Sequence, residues 1–146
     1  MKQEETIDFH LRRNWHKIMR IYNLVAAQEN ATMSMAYALL SIDLENGTPS
    51  TSLGPKMGME SRSLTRMLKK MEEEKVIEKV QDKKDKRVTR IMLTQKGIEK
   101  RNFSRDKVIE FNTVVQSELT VNERKSFFHL MNKIHGILEN KPIFDL

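Results

Sequence analysis

A change of hydrophobic period near Val76 constrains this chain more than any other feature. Upstream of it, from Ser61 to Glu74, Leu64, Met67, Leu68 and Met71 recur every three or four positions and share one helical face. From Val76 the chain reads Val-Ile-Glu-Lys-Val, breaks at the charged run Gln81 to Arg87, and resumes as Val-Thr-Arg-Ile-Met-Leu. Two short β-prone segments flanking a run without large apolar side chains predict a hairpin with a long, charged tip. Helical spacing then returns. Thr94 can cap a helix that runs to about Ser117 through Gly97, carrying Ile98, Val108, Phe111 and Val115. The predicted fold is therefore mainly α with one small β-hairpin.

Just before that helix, Leu53, Met57, Met59, Leu64 and Met67 have the spacing by which two short helices crossing steeply share a small core. Gly54 supplies a small residue where such helices approach, and Gly58 a residue tolerant of positive φ in the turn. The pair reads as a helix-turn-helix followed by its wing. Pro55 is comfortable only in a first helical turn, so the first helix of the pair is expected to be short or to start late. Two helices precede it. Ile7, Leu11, Trp15, Ile18, Tyr22 and Val25 mark a long first helix; a second is expected from Ser34 as N-cap, through Tyr37, Leu40 and Leu44, to Asn46-Gly47. Thr120-x-x-Glu123 is a capping box opening a last helix with Phe127, Leu130 or Met131, Ile134, Ile137 and Leu138.

Charge singles out the same middle region. The net charge is +6, and residues 50–96 hold 13 basic against 7 acidic groups, whereas the segments on either side are close to balance. A local positive field of this kind suits phosphates and their counterions. The outward face of the second helix of the pair carries Ser61, Arg62, Ser63, Thr65, Arg66, Lys69 and Lys70. Arg62 and Arg66 stand one turn apart, an arrangement that costs an isolated helix roughly 0.2–0.5 kcal/mol and so suggests an external partner. Lys69 with Glu73 and Lys70 with Glu74 can instead pair along the helix. The hairpin tip, Asp82-Lys-Lys-Asp-Lys-Arg87, exposes Lys84, Lys86 and Arg87, with Asp85 placed to orient Arg87 toward a narrow minor groove.

Other chemistry finds little footing. There is no cysteine, which removes disulfides, thiolate zinc sites and thiol redox sensing, and is compatible with a reducing cytoplasm. No apolar run approaches the length of a membrane span, and the charged N-terminus lacks the apolar stretch of a signal peptide. No phosphate loop, nucleophile motif or paired carboxylates point to an enzyme. His10 with His16, and His129 with His135, are six residues apart and face different sides of their helices, so no metal or other cofactor is expected.

From first helix to last, the chain resembles the MarR family of bacterial regulators. Ser61-Arg-Ser-Leu-Thr-Arg66 resembles that family's recognition-helix segment, and Met71-Glu-x-x-Lys-Val-Ile77 its exit into the wing. Asp85-x-Arg87 and Ile91-x-Leu-Thr94-x-x-Gly97 resemble its wing and return strand. The resemblance implies one domain over residues 1–146. Dimerisation helices would occupy 1–30 and 98–146; the winged helix-turn-helix would occupy 34–97, with a recognition helix at about 61–74 and a wing at about 77–94. It further implies a cytoplasmic homodimer that binds a palindromic double-stranded DNA operator, with repression relieved by a small-molecule effector. Trp15, His16, Met19 and Tyr37 would line the effector pocket. Gly54-Pro55 and Glu60 depart from the family's more usual helix-forming and N-capping residues. The rival reading is a winged helix used as a protein-contact scaffold without specific DNA binding.

Overall fold

Short-range hydrogen bonds set the helix boundaries in the computed structural model, which describes residues 2–144. The chain forms α1 (Ile7–Ala27), α2 (Met33–Ser41), β1 (Thr48–Pro49), α3 (Ser50–Met57), α4 (Ser61–Glu73), β2 (Ile77–Gln81), β3 (Thr89–Leu93), α5 (Gln95–Ser117) and α6 (Val121–Asn140). Helices thus dominate, with one small antiparallel sheet. Two compact units divide the chain, one up to Lys107 and one from Val108. None of the described helices is long and apolar enough to cross a membrane.

The first unit contains the winged helix. Its core is built from Met35, Ala38, Leu39 and Ile42 of α2 and its exit, Leu53 of α3, Leu64, Leu68 and Met71 of α4, and Val76, Ile77 and Ile91 of the hairpin. Met57 and Met67 pack against its edge, so four of the five apolar residues expected to join the helix pair do meet this core. Met59 is half-buried beside them. Gly58 has φ +60° in the turn. Gly54 is buried, and a Cβ there would stand 3.3 Å from the Met59 carbonyl oxygen, which is why a small residue is needed.

Strands β2 and β3 pair antiparallel with Ile77 opposite Leu93 and Gln81 opposite Thr89. A third strand, not anticipated from the sequence, lies on the other side of β3, with Thr48 opposite Ile91 and Pro49 opposite Arg90. Two residues at a sheet edge tolerate a proline that a central strand would not.

Three boundaries differ from expectation. Thr32, not Ser34, caps α2: its hydroxyl accepts the Met35 N–H at 3.2 Å. The same helix ends at Ser41 rather than at Asn46-Gly47. Ile42 becomes extended so that its side chain enters the core, and Asp43 Oδ1 accepts the Glu45 and Asn46 N–H groups at 3.1 and 2.7 Å. That side-chain turn competes with further helix and leaves Leu44 half exposed. Finally, α3 begins at Ser50, so Pro55 falls in its interior and not in its first turn. Pro55 and Thr51 are both exposed, so the Thr51 carbonyl that loses its helical donor can turn to water.

On α1, Ile18, Tyr22 and Val25 are half-buried, whereas Ile7, Leu11 and Trp15 of the predicted apolar face are exposed. In the second unit the predicted capping box is present. Thr120 N–H donates to Glu123 Oε2 at 2.7 Å and Thr120 Oγ1 accepts the Glu123 N–H at 3.3 Å. The Thr120 hydroxyl, which also donates to Glu123 Oε2 at 2.7 Å, and then the Thr120 N–H hold the Glu123 carboxyl below the usual carboxylate range. Phe127, Phe128, Leu130 and Leu138 of α6 are exposed within that unit, as are Ile143 and Phe144 beyond it. Asp145 and Leu146 of the apolar tail lie outside the described residues.

Candidate nucleic-acid interface

Leu64, Leu68 and Met71 hold one side of α4 against the core, and this fixes which residues face outward. Ser61, Arg62, Ser63, Thr65, Arg66, Lys69 and Lys70 are all exposed. Thr65 Oγ1 donates to the Ser61 carbonyl at 2.8 Å. Glu60 occupies the N-cap without a side-chain hydrogen bond, so the first N–H groups of α4 are not capped by it. Lys69 and Lys70 pair with Glu73 and Glu74 at 4.0 and 3.8 Å. Arg62 and Arg66 have no acidic partner among the described residues. The helix is thus electrically balanced toward its C-terminus and uncompensated in the half nearer Ser61.

The wing is organised by two aspartates. Asp85 takes Arg87 in a fork, Oδ1 accepting Nε and Oδ2 accepting Nη2, each at 3.0 Å; Oδ1 also accepts the Arg87 backbone N–H at 3.0 Å. This side chain is almost fully exposed and nevertheless pre-oriented, as the Asp85-x-Arg87 spacing predicted. Lys83, Lys84 and Lys86 beside it are exposed and have no acidic partner among the described residues. Asp82 Oδ1 accepts the Lys84 and Asp85 N–H groups at 2.8 and 3.0 Å, and its Oδ2 accepts Arg90 Nε. Arg90 Nη1 in turn donates to the Asn46 and Gly47 carbonyls at 3.2 and 3.4 Å, tying the wing to the turn before β1.

Asp82 and Arg90 escaped the sequence reading. The signal available was an acid and a base at the two ends of a hairpin, and only the strand register shows that they meet.

The Arg90 side chain, with help from two backbone N–H groups, holds the Asp82 carboxyl far below the usual carboxylate range. A depressed folded value means that the anchor is fully present above about pH 4, the ordinary aspartate value, and is lost only as pH falls through the folded value. Asp82→Asn should therefore speed hydrogen exchange at the tip, where Asp82 N–H donates to the Val88 carbonyl at 2.9 Å, and leave the amides of α4 unchanged. Equal protection of the tip in both proteins near pH 7 would show that the anchor is dispensable.

Trp15, His16 and Met19 lie along α1, and Tyr37 on α2. Trp15 and Tyr37 are half exposed, His16 is exposed and Met19 is half-buried. Two cavities of this unit are lined by other residues. One is a groove between α3 and α4 bordered by Gly54, Met59, Leu64 and Leu68; the other sits behind the Asp43 turn.

Comparison with known proteins agrees with this architecture. The MarR family model matches residues 32–89, from the cap of α2 to the first residue of β3. The HTH-type transcriptional regulator SarZ of Staphylococcus haemolyticus is 27% identical over 82 residues, which span 56% of this chain and 56% of that protein. The MepR–DNA complex of S. aureus shares the fold with a TM-score of 0.85 at 19% identity, over 94% of this chain and 99% of the other. PcaV of Streptomyces coelicolor, solved with its natural ligand, gives a TM-score of 0.79 at 18% identity, over 93% and 96%. Over residues 32–89, its winged helix, the chain is similar to the MarR family.

Proposed function

We propose that the protein is a transcription regulator that binds double-stranded DNA sequence-specifically in the cytoplasm. It acts as a homodimer on a palindromic operator and represses until a small effector binds. Arg62 and Arg66 carry this reading: they stand exposed and, among the described residues, unpaired at the start of a helix whose opposite face is locked in the core. Guanine edges and phosphates are the partners that such side chains lack among the described residues. Ser61, Ser63 and Thr65 add hydroxyls along the same half, Lys69 and Lys70 approach the backbone, and Lys84, Lys86 and Arg87 of the wing enter a flanking minor groove.

SarZ is named a transcriptional regulator, MepR has been solved on DNA and PcaV with a ligand, and each supports one part of the reading. Self-association is supported by large apolar side chains left exposed within each unit: Ile7, Leu11 and Trp15 on α1, and Phe127, Phe128 and Leu138 on α6. Trp15, His16, Met19 and Tyr37 remain the proposed effector contacts.

The reading is tested by titrating the protein with duplexes of different sequence over a range of salt concentrations. A regulator retains a sequence preference as salt rises, with an affinity slope set by the number of phosphates it neutralises. Weak binding that is blind to sequence and vanishes with salt would favour the protein-contact scaffold.

A further inference from the structure

We propose that Arg90 is a positioning residue for the arginine of the wing tip: it sets the direction of Arg87 through Asp82 and Asp85, and does not contact DNA itself. The inference rests on the DNA-binding reading above. Charge and location in the wing would group Arg90 with Lys84, Lys86 and Arg87 as a phosphate contact, but its surroundings give it another role. The Arg87 side chain is 91% exposed, that of Arg90 only 31%, and that of Asp82 14%. Arg90 lies on the central strand of the sheet, opposite Val80 on one side and Pro49 on the other. Its Nε and Nη1 are already engaged by acceptors inside the chain: the Asp82 carboxylate and the Asn46 and Gly47 carbonyls.

The fixed end of this linkage is the turn before β1. Gly47 N–H donates to the Asp43 carbonyl at 3.1 Å, Thr48 Oγ1 accepts the Asp43 N–H at 3.0 Å, and Ile42 and Thr48 are buried. A Cβ at Gly47 would fall 2.6 Å from the Ile91 carbonyl oxygen, so the turn lies directly against β3. Arg90 bridges that turn to Asp82. Asp82 Oδ1 accepts the Lys84 and Asp85 N–H groups and so fixes the backbone from which the Asp85 carboxylate projects; Asp85 then holds Arg87 in its fork. Each link fixes the direction of the next. A long side chain already held in place does not have to be ordered when it binds, and this is where the linkage gains affinity without a contact of its own.

The test makes Asp82→Asn and Arg90→Gln both in the parent and in Arg87→Ala, and titrates each protein with the duplex that the parent prefers. Asp82→Asn removes a negative charge from the wing, so charge alone would tighten binding to DNA. Weaker binding is expected instead, by roughly three- to tenfold, the cost of ordering one long side chain at the moment of binding. Arg90→Gln should lose a similar factor in the parent. In Arg87→Ala there is no tip arginine to position, and neither substitution should weaken binding by more than about twofold. Asp82→Asn binding as tightly as the parent would overturn the proposal. Equal losses by Arg90→Gln in both backgrounds would also overturn it, since they would mark a phosphate contact of its own or a general loss of fold. Amide ¹⁵N relaxation of the free protein gives a reading that needs no DNA: residues 83–87 should become more mobile in Arg90→Gln while α4 is unchanged. A tip equally ordered in both proteins would overturn the linkage, whereas a parent without sequence preference would overturn the DNA reading and with it the role of Arg90 there, so the two failures are distinguishable.

Discussion

Gly97→Ala is expected to lower the stability of the winged helix by about 3 kcal/mol, the upper end of the cost of overpacking. The loss follows from how α5 is seated. A Cβ at Gly97 would fall 1.9 Å from the Val76 carbonyl oxygen and 3.0 Å from its carbon, so backbone and not a side-chain tip would have to yield. Neither side can move freely. The Val76 carbonyl accepts the Thr94 N–H at 3.2 Å, while Thr94 Oγ1 donates to the Lys75 carbonyl at 2.7 Å and accepts the Gly97 N–H at 3.0 Å. Val76 and Ile77, next to the obstructed carbonyl, belong to the core. Thermal unfolding at equal protein concentration should show a midpoint lowered by roughly 10 °C. A midpoint within a degree or two of the parent would mean that α5 does not need this close approach.

The second large effect concerns DNA. If α4 reads DNA as proposed, Arg66→Ala should cost about 1–3 kcal/mol of binding to the preferred duplex and relax the preference at one base pair, because an exposed arginine without an acidic partner among the described residues would lose its contact to a guanine edge. Arg87→Ala should behave differently. Its fork to Asp85 aims a charge and carries no base code, so affinity should fall uniformly across sequences and the salt slope should decrease by about 1. Both variants remove exposed side chains and should fold normally. Titration at several salt concentrations separates the two losses. Equal, sequence-independent weakening by both would reduce α4 to a phosphate contact, and unaltered binding by Arg87→Ala at every salt would remove the wing from the interface.

These expectations rest on parts of the molecule that differed in how openly the sequence displayed them. The hairpin and its tip were legible because Gln81 to Arg87 contains no side chain able to fold back onto a core, and because Thr94 and Gly97 mark where helix resumes. The pair of short helices was legible from Gly54 and Gly58, whose roles are set by local sterics. Where long-range contacts decide, the reading went astray. The strand at Thr48–Pro49 exists only because β3 offers an edge to pair with. Ile42 leaves the helix because burial in the core outweighs one more turn, and Asp43 then claims the N–H groups that follow. Thr32 and Ser34 both carry a hydroxyl that can cap; only the placement of Met35 selects Thr32.

The candidate site shows the same division. Exposure of the α4 residues follows from the period of Leu64, Leu68 and Met71, and the Asp85–Arg87 fork is a contact between near neighbours. The Asp82–Arg90 anchor needs the hairpin register, and its hold on Asn46 and Gly47 needs the tertiary fold.

Selection of bound sequences from a random duplex library at near-physiological salt, with the mass of the protein in solution recorded alongside, is the most direct test of the central claim. Enrichment of a pseudo-palindrome whose half-sites lie about one helical turn apart is expected, together with the mass of a dimer. An unenriched library with binding that disappears as salt rises, or a monomer mass, would contradict it.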